Sequence, residues 1–376
     1  MTEKRSINAD LLRLLAAFMV NAVHFLLNNG FYYTPVEGVR MTVMVGMRSF
    51  FIVCVPLFLI LTGYLMKNKR LTKSYYKGIL HTAVIYLLAS TACAVYTILF
   101  IEVKPVSQLL LGTLNFTTAP YGWYVEMYIG LYLLIPFLNL IYDNLPSKKS
   151  RWILLLTLFV LSSLPALLNV YRFEDAAWWT APYTNMGFEP LLPKFWLGLY
   201  PFLYYYLGAY LRDYPLRLRQ WMKWLLIAGI TGLSTAYNLW RSAPGIFIWG
   251  AWNDWASPFN VAIAVLLFSS VMQFNTERTP KTVRKTLSVL SRLTLGAYLV
   301  SFVFDHLYYY LLQLKVPVVT ERLKYFPVIV PAVFVSSMLL SGLLELLYKS
   351  VSVPYQRRRR RKAEAISLEP EETNNP

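Results

Sequence analysis

Apolar residues along this chain gather into ten runs, at about 9–29, 41–66, 78–101, 121–142, 151–170, 194–211, 221–240, 257–274, 289–312 and 326–348. Each is roughly 20 residues long, the length an α-helix needs to cross a hydrocarbon layer about 30 Å thick. The pattern therefore predicts an all-α polytopic membrane bundle of about ten transmembrane helices. The polar segments between the runs set its orientation, because Lys and Arg in short loops stay in the cytoplasm. The N-terminus and the segments 67–77, 142–152, 211–223, 275–292 and 349–362 hold most of the 36 Lys and Arg, and the alternate loops hold few. One misplaced span would invert this alternation in every later loop. It holds from end to end, which predicts both termini on the cytoplasmic side of a multi-pass protein.

Composition agrees: 57% hydrophobic residues and a mean hydropathy of +0.45 exceed what a soluble domain of 376 residues carries. The net charge of +17 is then mostly topological. The run Arg357 to Lys362 adds attraction to anionic inner-leaflet lipid, and nucleic acid is its poorer partner. Cys54 and Cys93 both fall inside spans, so neither a disulfide framework nor a cysteine metal site is expected. No His-x-x-x-His or similar spacing occurs in the interior, so no metal is expected either. Asp10 and Arg13 interrupt the first run, and no small-residue cleavage site follows, which reads as an uncleaved helix. The organisation is a membrane domain over 1–349 and a basic then acidic tail over 350–376, expected to lack fixed structure.

Ionisable groups within a hydrocarbon layer are costly, so those retained are candidates for function. Arg13 and His24 are eleven residues apart, which places them on one face of the first helix within about 20° and about 16 Å apart along its axis. A histidine can take a proton from a hydroxyl near neutral pH without a metal. The competing reading has Arg13 reaching for lipid headgroups and His24 bonding a neighbouring helix. Asp10 either pairs with Arg13 or forms the polar start of the helix, with the second favoured. Arg48 has no local partner, so an acidic group on another helix is expected, either Glu126 or Asp305. Pro56 and Gly63 interrupt the second run, to expose backbone toward a cavity or for close helix packing. Trp123 and Tyr124 suit an interfacial belt. In the outer loops, Trp178 and Trp179 are candidates for stacking on sugar rings, against the same belt alternative.

Four elements together resemble acyltransferase family 3, the multi-pass bacterial membrane acyltransferases of cell-surface polysaccharides. They are Arg13 followed after ten residues by His24, Val55-Pro56-Leu57-Phe58 leading to Thr62-Gly63-Tyr64-Leu65, Trp123-Tyr124 with Gly130 to Pro136, and Leu295-Gly296-Ala297-Tyr298-Leu299. The likeness covers nearly the whole membrane region. It implies acyl transfer, usually of acetyl from cytoplasmic acetyl-CoA as co-substrate with no bound cofactor, to a hydroxyl of an extracytoplasmic envelope glycan. It implies catalysis by His24 and donor binding by Arg13. Asp10, Arg48, Tyr64, Lys77, Trp123, Glu126 and Asp305 are the further candidates to bind the acyl donor or support the site. Membrane lipid, acyl-CoA and the glycan are the implied partners, and a bacterial plasma membrane the location. The chain departs from the family at Thr62, where Ser is usual, and at Lys77 to His81, where many relatives carry paired arginines. It departs again at Val300-Ser301, where several have His. The alternative function is a transporter or flippase for a polysaccharide or lipid-linked sugar, since buried Arg, His and carboxylates also suit a polar pathway.

Overall fold

The apolar runs become helices in chain order. The computed structural model describes residues 5–368, in which α1 (Ile7–Asn28), α2 (Gly38–Phe51), α3 (Cys54–Met66), α4 (Lys73–Lys77), α5 (Ile79–Phe100), α6 (Val106–Leu114) and α7 (Trp123–Asp143) are followed by α8 (Lys148–Ser162), α9 (Leu164–Leu168), α10 (Tyr200–Asp213), α11 (Gln220–Ser242), α12 (Pro258–Met272), α13 (Lys281–Lys315) and α14 (Phe326–Leu368). Among those residues no strand forms, and one isolated bridge pairs Pro35 with Ile246. Eight stretches are long and apolar enough to cross a membrane, with α2 and α3 counting as one. The protein is a multi-pass membrane protein.

The two remaining expected spans behave differently. In the sixth, α10 has only 14 residues and follows the five-residue 3-10 turn Phe195–Leu199. At rises of about 1.5 and 2.0 Å per residue the two together reach about 31 Å, so this segment matches the hydrocarbon thickness by mixing helix types. The seventh, α11, is long enough at 23 residues but less apolar, because one side buries Lys223, Asn238 and Arg241. Those groups find partners inside the protein, as lipid-depth polar groups must. Lys223 donates to the Ser269 carbonyl at 3.4 Å, and Arg241 to the Val170 carbonyl at 2.8 Å.

Prolines set the bends. Pro56 has no N–H for the carbonyl of Ile52, four residues earlier, and its ring crowds that oxygen. The helix accordingly stops at Phe51 and restarts at Cys54, and the Cys54 thiol donates to the freed Ile52 carbonyl at 3.7 Å. Pro136 has the same effect on Tyr132 within α7. There the Tyr75 hydroxyl donates to the Tyr132 carbonyl, the Tyr132 hydroxyl donates back to the Tyr75 carbonyl at 2.6 Å, and the two rings stack at 4.5 Å. Where water is excluded, such side chains must replace the lost backbone bonds.

At Gly63 the close-packing reading is the one that applies. Helices α3 and α10 cross with Gly63 against the Tyr205 carbonyl and Gly208 against the Ile60 carbonyl, and a Cβ at either glycine would overlap that oxygen. Small residues allow such backbone approach, and dispersion across it binds the helices. Gly208→Val should therefore separate them at a cost of about 3 kcal/mol or more. The expected readout is loss of the monodisperse peak when detergent extracts are sized; a wild-type profile would mean that the crossing tolerates bulk.

The centre of the bundle is α1, which packs on α2, α3, α12, α13 and α14. Ser6 caps its N-terminus by accepting from the Ala9 N–H at 3.3 Å. Its buried positions include Leu12, Ala16, Met19, Val20 and Phe25, mixing small and large side chains so that several neighbours fit around one rod. The long α13 carries Gly296 beneath Ser341 of α14, a contact that leaves no room for a side chain. Helix α14 runs on to Leu368, so residues 350–368 of the tail are helical where composition predicted none. The reason is local: Arg, Lys, Ala and Glu are strong helix formers, and they extend a helix already nucleated by packing. The rest of the tail, 369–376, lies outside the described residues.

Candidate active site

One side of α1 borders two cavities. The first, of about 340 Å³, is lined by Arg5, Ser6, Asp10, Arg13, Tyr64 and Arg212, among others. Asp10 is buried there and held by a two-point ion pair from Arg5, Nε to Oδ2 and Nη2 to Oδ1 at 2.8 Å each. The Ser291 hydroxyl of α13 also donates to Asp10, at 2.6 Å. Asp10 thus does more than start the helix: it ties α1 to α13. Its contact with Arg13 is longer, 3.4 Å, so most of the Arg13 fork is available to the cavity. Arg212 donates from Nη1 to the Tyr64 carbonyl at 2.8 Å, with its guanidinium over the Tyr64 ring. Three guanidinium groups facing one carboxylate make this mouth suited to a polyanion such as a phosphate ester.

The second cavity, about 220 Å³, shares Arg13 and Leu65 with the first and continues into the bundle between Val20, Phe58, Leu61 and the tyrosines Tyr124, Tyr128 and Tyr298. Its walls are chiefly apolar. Val20 lies one turn before His24, and the Tyr298 ring lies 6.4 Å from the His24 ring; the histidine itself stands behind these two residues and does not line the cavity. The Tyr298 hydroxyl is buried without a hydrogen-bond partner.

His24 is nearly buried, and its Nδ1 lies 3.0 Å from Oδ2 of Asp305 on α13. Tyr121 donates to the same carboxylate oxygen at 2.8 Å, stacks its ring on the imidazole at 3.9 Å, and accepts from the Asn28 amide at 3.1 Å. A carboxylate beside Nδ1 holds the proton on that nitrogen and leaves Nε2 as the acceptor. Among the described residues Nε2 has no partner. Asp305 is only 1% exposed; its Oδ2 takes both donors, and its Oδ1 has no partner among the described residues.

Other expectations are corrected. Arg48 pairs with neither Glu126 nor Asp305. Its Nε donates to the Tyr32 hydroxyl at 3.0 Å, its Nη1 donates to the Asn253 carbonyl, and its guanidinium lies over the rings of Phe247 and Trp249. One carbonyl, one hydroxyl and two aromatic faces receive the guanidinium, and they clasp the loop before α12 onto α2. Glu126 lies exposed in the first turn of α7, where the positive end of the helix favours it. Trp123 stacks on Trp255 at 4.4 Å, away from both cavities. Lys77 is exposed at the end of α4 and lines neither cavity. Trp178 is buried, with Arg241 against its ring at 4.6 Å and its indole N–H donating to the Asn185 carbonyl at 2.9 Å, so its face is not open to a sugar. Trp179 is 40% exposed but stacked on Tyr171. No cluster of three or more metal-ligand side chains forms among the described residues.

Sequence reasoning missed Arg5, Arg212, Tyr121, Asn28, Ser291 and Tyr298 as site groups. Arg5 and Arg212 fall in the counts that fix topology, which hides their second role. Asn28 was detectable, one turn beyond His24 on the same face. So was the buried polar stripe Ser291, Thr294, Tyr298, Ser301 and Asp305, whose spacing of three and four residues places it along one side of α13. Tyr121 stands in a loop before α7, and nothing local points to it.

A carboxylate-held imidazole thus stands close behind an apolar cavity that opens through arginines, inside a multi-pass helical bundle. The acyltransferase family 3 model, described as an acyltransferase domain, matches residues 7–345, and the chain belongs to that family. It is a membrane acyltransferase. No curated protein and no solved structure matches the chain.

Proposed function

We propose that the protein takes an acyl group, acetyl in the simplest case, from acyl-CoA at the Lys/Arg-rich face and gives it to a hydroxyl of an envelope glycan at the opposite face of a bacterial plasma membrane. The observation that carries this reading is the sequence of features along α1: the arginine mouth, the apolar cavity that shares Arg13 with it, and the His24–Asp305 pair next to that cavity's residues Val20 and Tyr298. Arg5, Arg13 and Arg212 suit the phosphates of the donor, and the apolar walls suit its thioester arm. The acceptor hydroxyl gives its proton to His24 Nε2 while its oxygen bonds the thioester carbonyl carbon. The carbon–sulfur bond then breaks, and the departing sulfur takes the proton back from the imidazole. Asp305 stabilises the imidazolium formed between these steps. The unpartnered Tyr298 hydroxyl donates to the carbonyl oxygen as negative charge grows there.

Removing one such donor costs about 10²- to 10³-fold in turnover. Tyr298→Phe should lower kcat by that order with donor KM little changed, measured with radiolabelled acetyl-CoA and envelope membranes; an unchanged kcat would assign Tyr298 to packing alone. For the function as a whole, base-labile acyl groups are to be compared on surface glycan from wild-type and deletion cells. Loss of acyl groups on polymer of normal amount supports the enzyme. Loss of the surface polymer itself would overturn it in favour of transport.

A further inference from the structure

Away from the α1 cavities, a groove of about 970 Å³ lies between α8, α10 and α12. Its walls are apolar, with Leu155, Phe159, Leu207 and Val265 among them, and its Lys/Arg-rich end holds Lys148, Trp152, Tyr214 and Arg217. Asp213, the carboxylate at that end, is already paired with Lys67 and Arg151. Lys148 lies over the Tyr214 ring at 5.3 Å, and among the described residues neither it nor Arg217 has an acidic partner. From Lys148 to Phe159 the wall rises about 16 Å, close to one leaflet of a hydrocarbon core about 30 Å thick. Trp152 is exposed at the mouth, where an indole suits the headgroup level.

We propose that this groove is a binding site for an anionic phospholipid of the Lys/Arg-rich leaflet. The phosphate lies between Lys148 and Arg217, and an acyl chain lies along the apolar wall. Two unbalanced cations above a leaflet-deep apolar slot favour an anionic headgroup over a zwitterionic one, and the match in depth favours a lipid over a soluble anion. The site is independent of the acyl-transfer reading.

The test uses the full chain in detergent, delipidated and then incubated with phosphatidylglycerol or phosphatidylcholine, with bound lipid counted by native mass spectrometry. Wild type should retain phosphatidylglycerol in preference to phosphatidylcholine, a comparison that needs no variant. Lys148→Glu with Arg217→Glu should weaken phosphatidylglycerol retention by about thirtyfold. Ala262→Trp, which fills the groove from α12, should do the same without changing charge. Lys149→Glu with Arg219→Glu changes the net charge equally outside the groove and should retain lipid as wild type does. Equal retention of both lipids by wild type, or equal loss in the control pair, would overturn the site.

Discussion

His24→Ala is expected to abolish acyl transfer while the protein still inserts and extracts normally. A positioned base contributes about 10²- to 10⁴-fold, and no second group near the cavity end replaces it. The substitution has a structural side effect, because it leaves Asp305 buried with Tyr121 as its remaining donor. Stripping one partner from a buried pair costs about 3–5 kcal/mol. The double variant His24→Ala with Asp305→Asn removes that stranded charge. It should recover thermal stability in detergent without recovering activity. Turnover near wild type in either variant would remove the imidazole from the chemistry.

The second large effect is expected from Asp305→Asn. The amide is nearly the same size and keeps the hydrogen bond from Tyr121, but it neither fixes the proton on Nδ1 nor stabilises an imidazolium. A carboxylate in this role accounts for about 10⁴-fold in other enzymes that pair it with histidine. The loss should appear in kcat, with donor KM little changed, since the carboxylate is remote from the arginine mouth. Tyr121→Phe should cost less, about tenfold, through one lost hydrogen bond to a charged group. The two losses should not add in the double variant, because both act through the same imidazole. A rise in donor KM with unchanged kcat would instead make Asp305 part of donor binding.

The helical bundle was largely legible in the sequence because lipid imposes a simple rule on length and charge. The rule falls short at α10, whose 3-10 entry shortens the helix, and at α11, whose buried Lys223 and Arg241 look like loop charges until their partners are seen. The site was partly legible. Arg13 and His24 share a helix face by arithmetic alone; Arg13 lines both cavities, and His24 stands one turn beyond Val20, which lines the second. Asp305 stood out as a rare carboxylate at membrane depth, yet its pairing with His24 depends on how α13 lies against α1, a long-range packing result. Arg48 was misassigned for the same reason. Its partners are the Asn253 carbonyl and aromatic faces of a distant loop and the Tyr32 hydroxyl, with Asp254 of that loop the carboxylate that feels its charge, and sequence separation hides all of them. Lys77 entered through the family's paired-arginine position, whereas the mouth is lined by Arg5 and Arg212 beside Arg13.

Helix α13 supplies both Ser291, which holds Asp10 at the arginine mouth, and Asp305, which holds His24. Fourteen residues separate them on one unbroken rod, about 21 Å of rise. The enzyme therefore contains a built-in ruler whose two marks cannot slide relative to one another. On the proposed reading, only a donor whose anionic handle and reactive carbonyl are separated by a long, slender tether spans both marks, and a compact activated acid such as acetyl phosphate would anchor at one end and never reach the other.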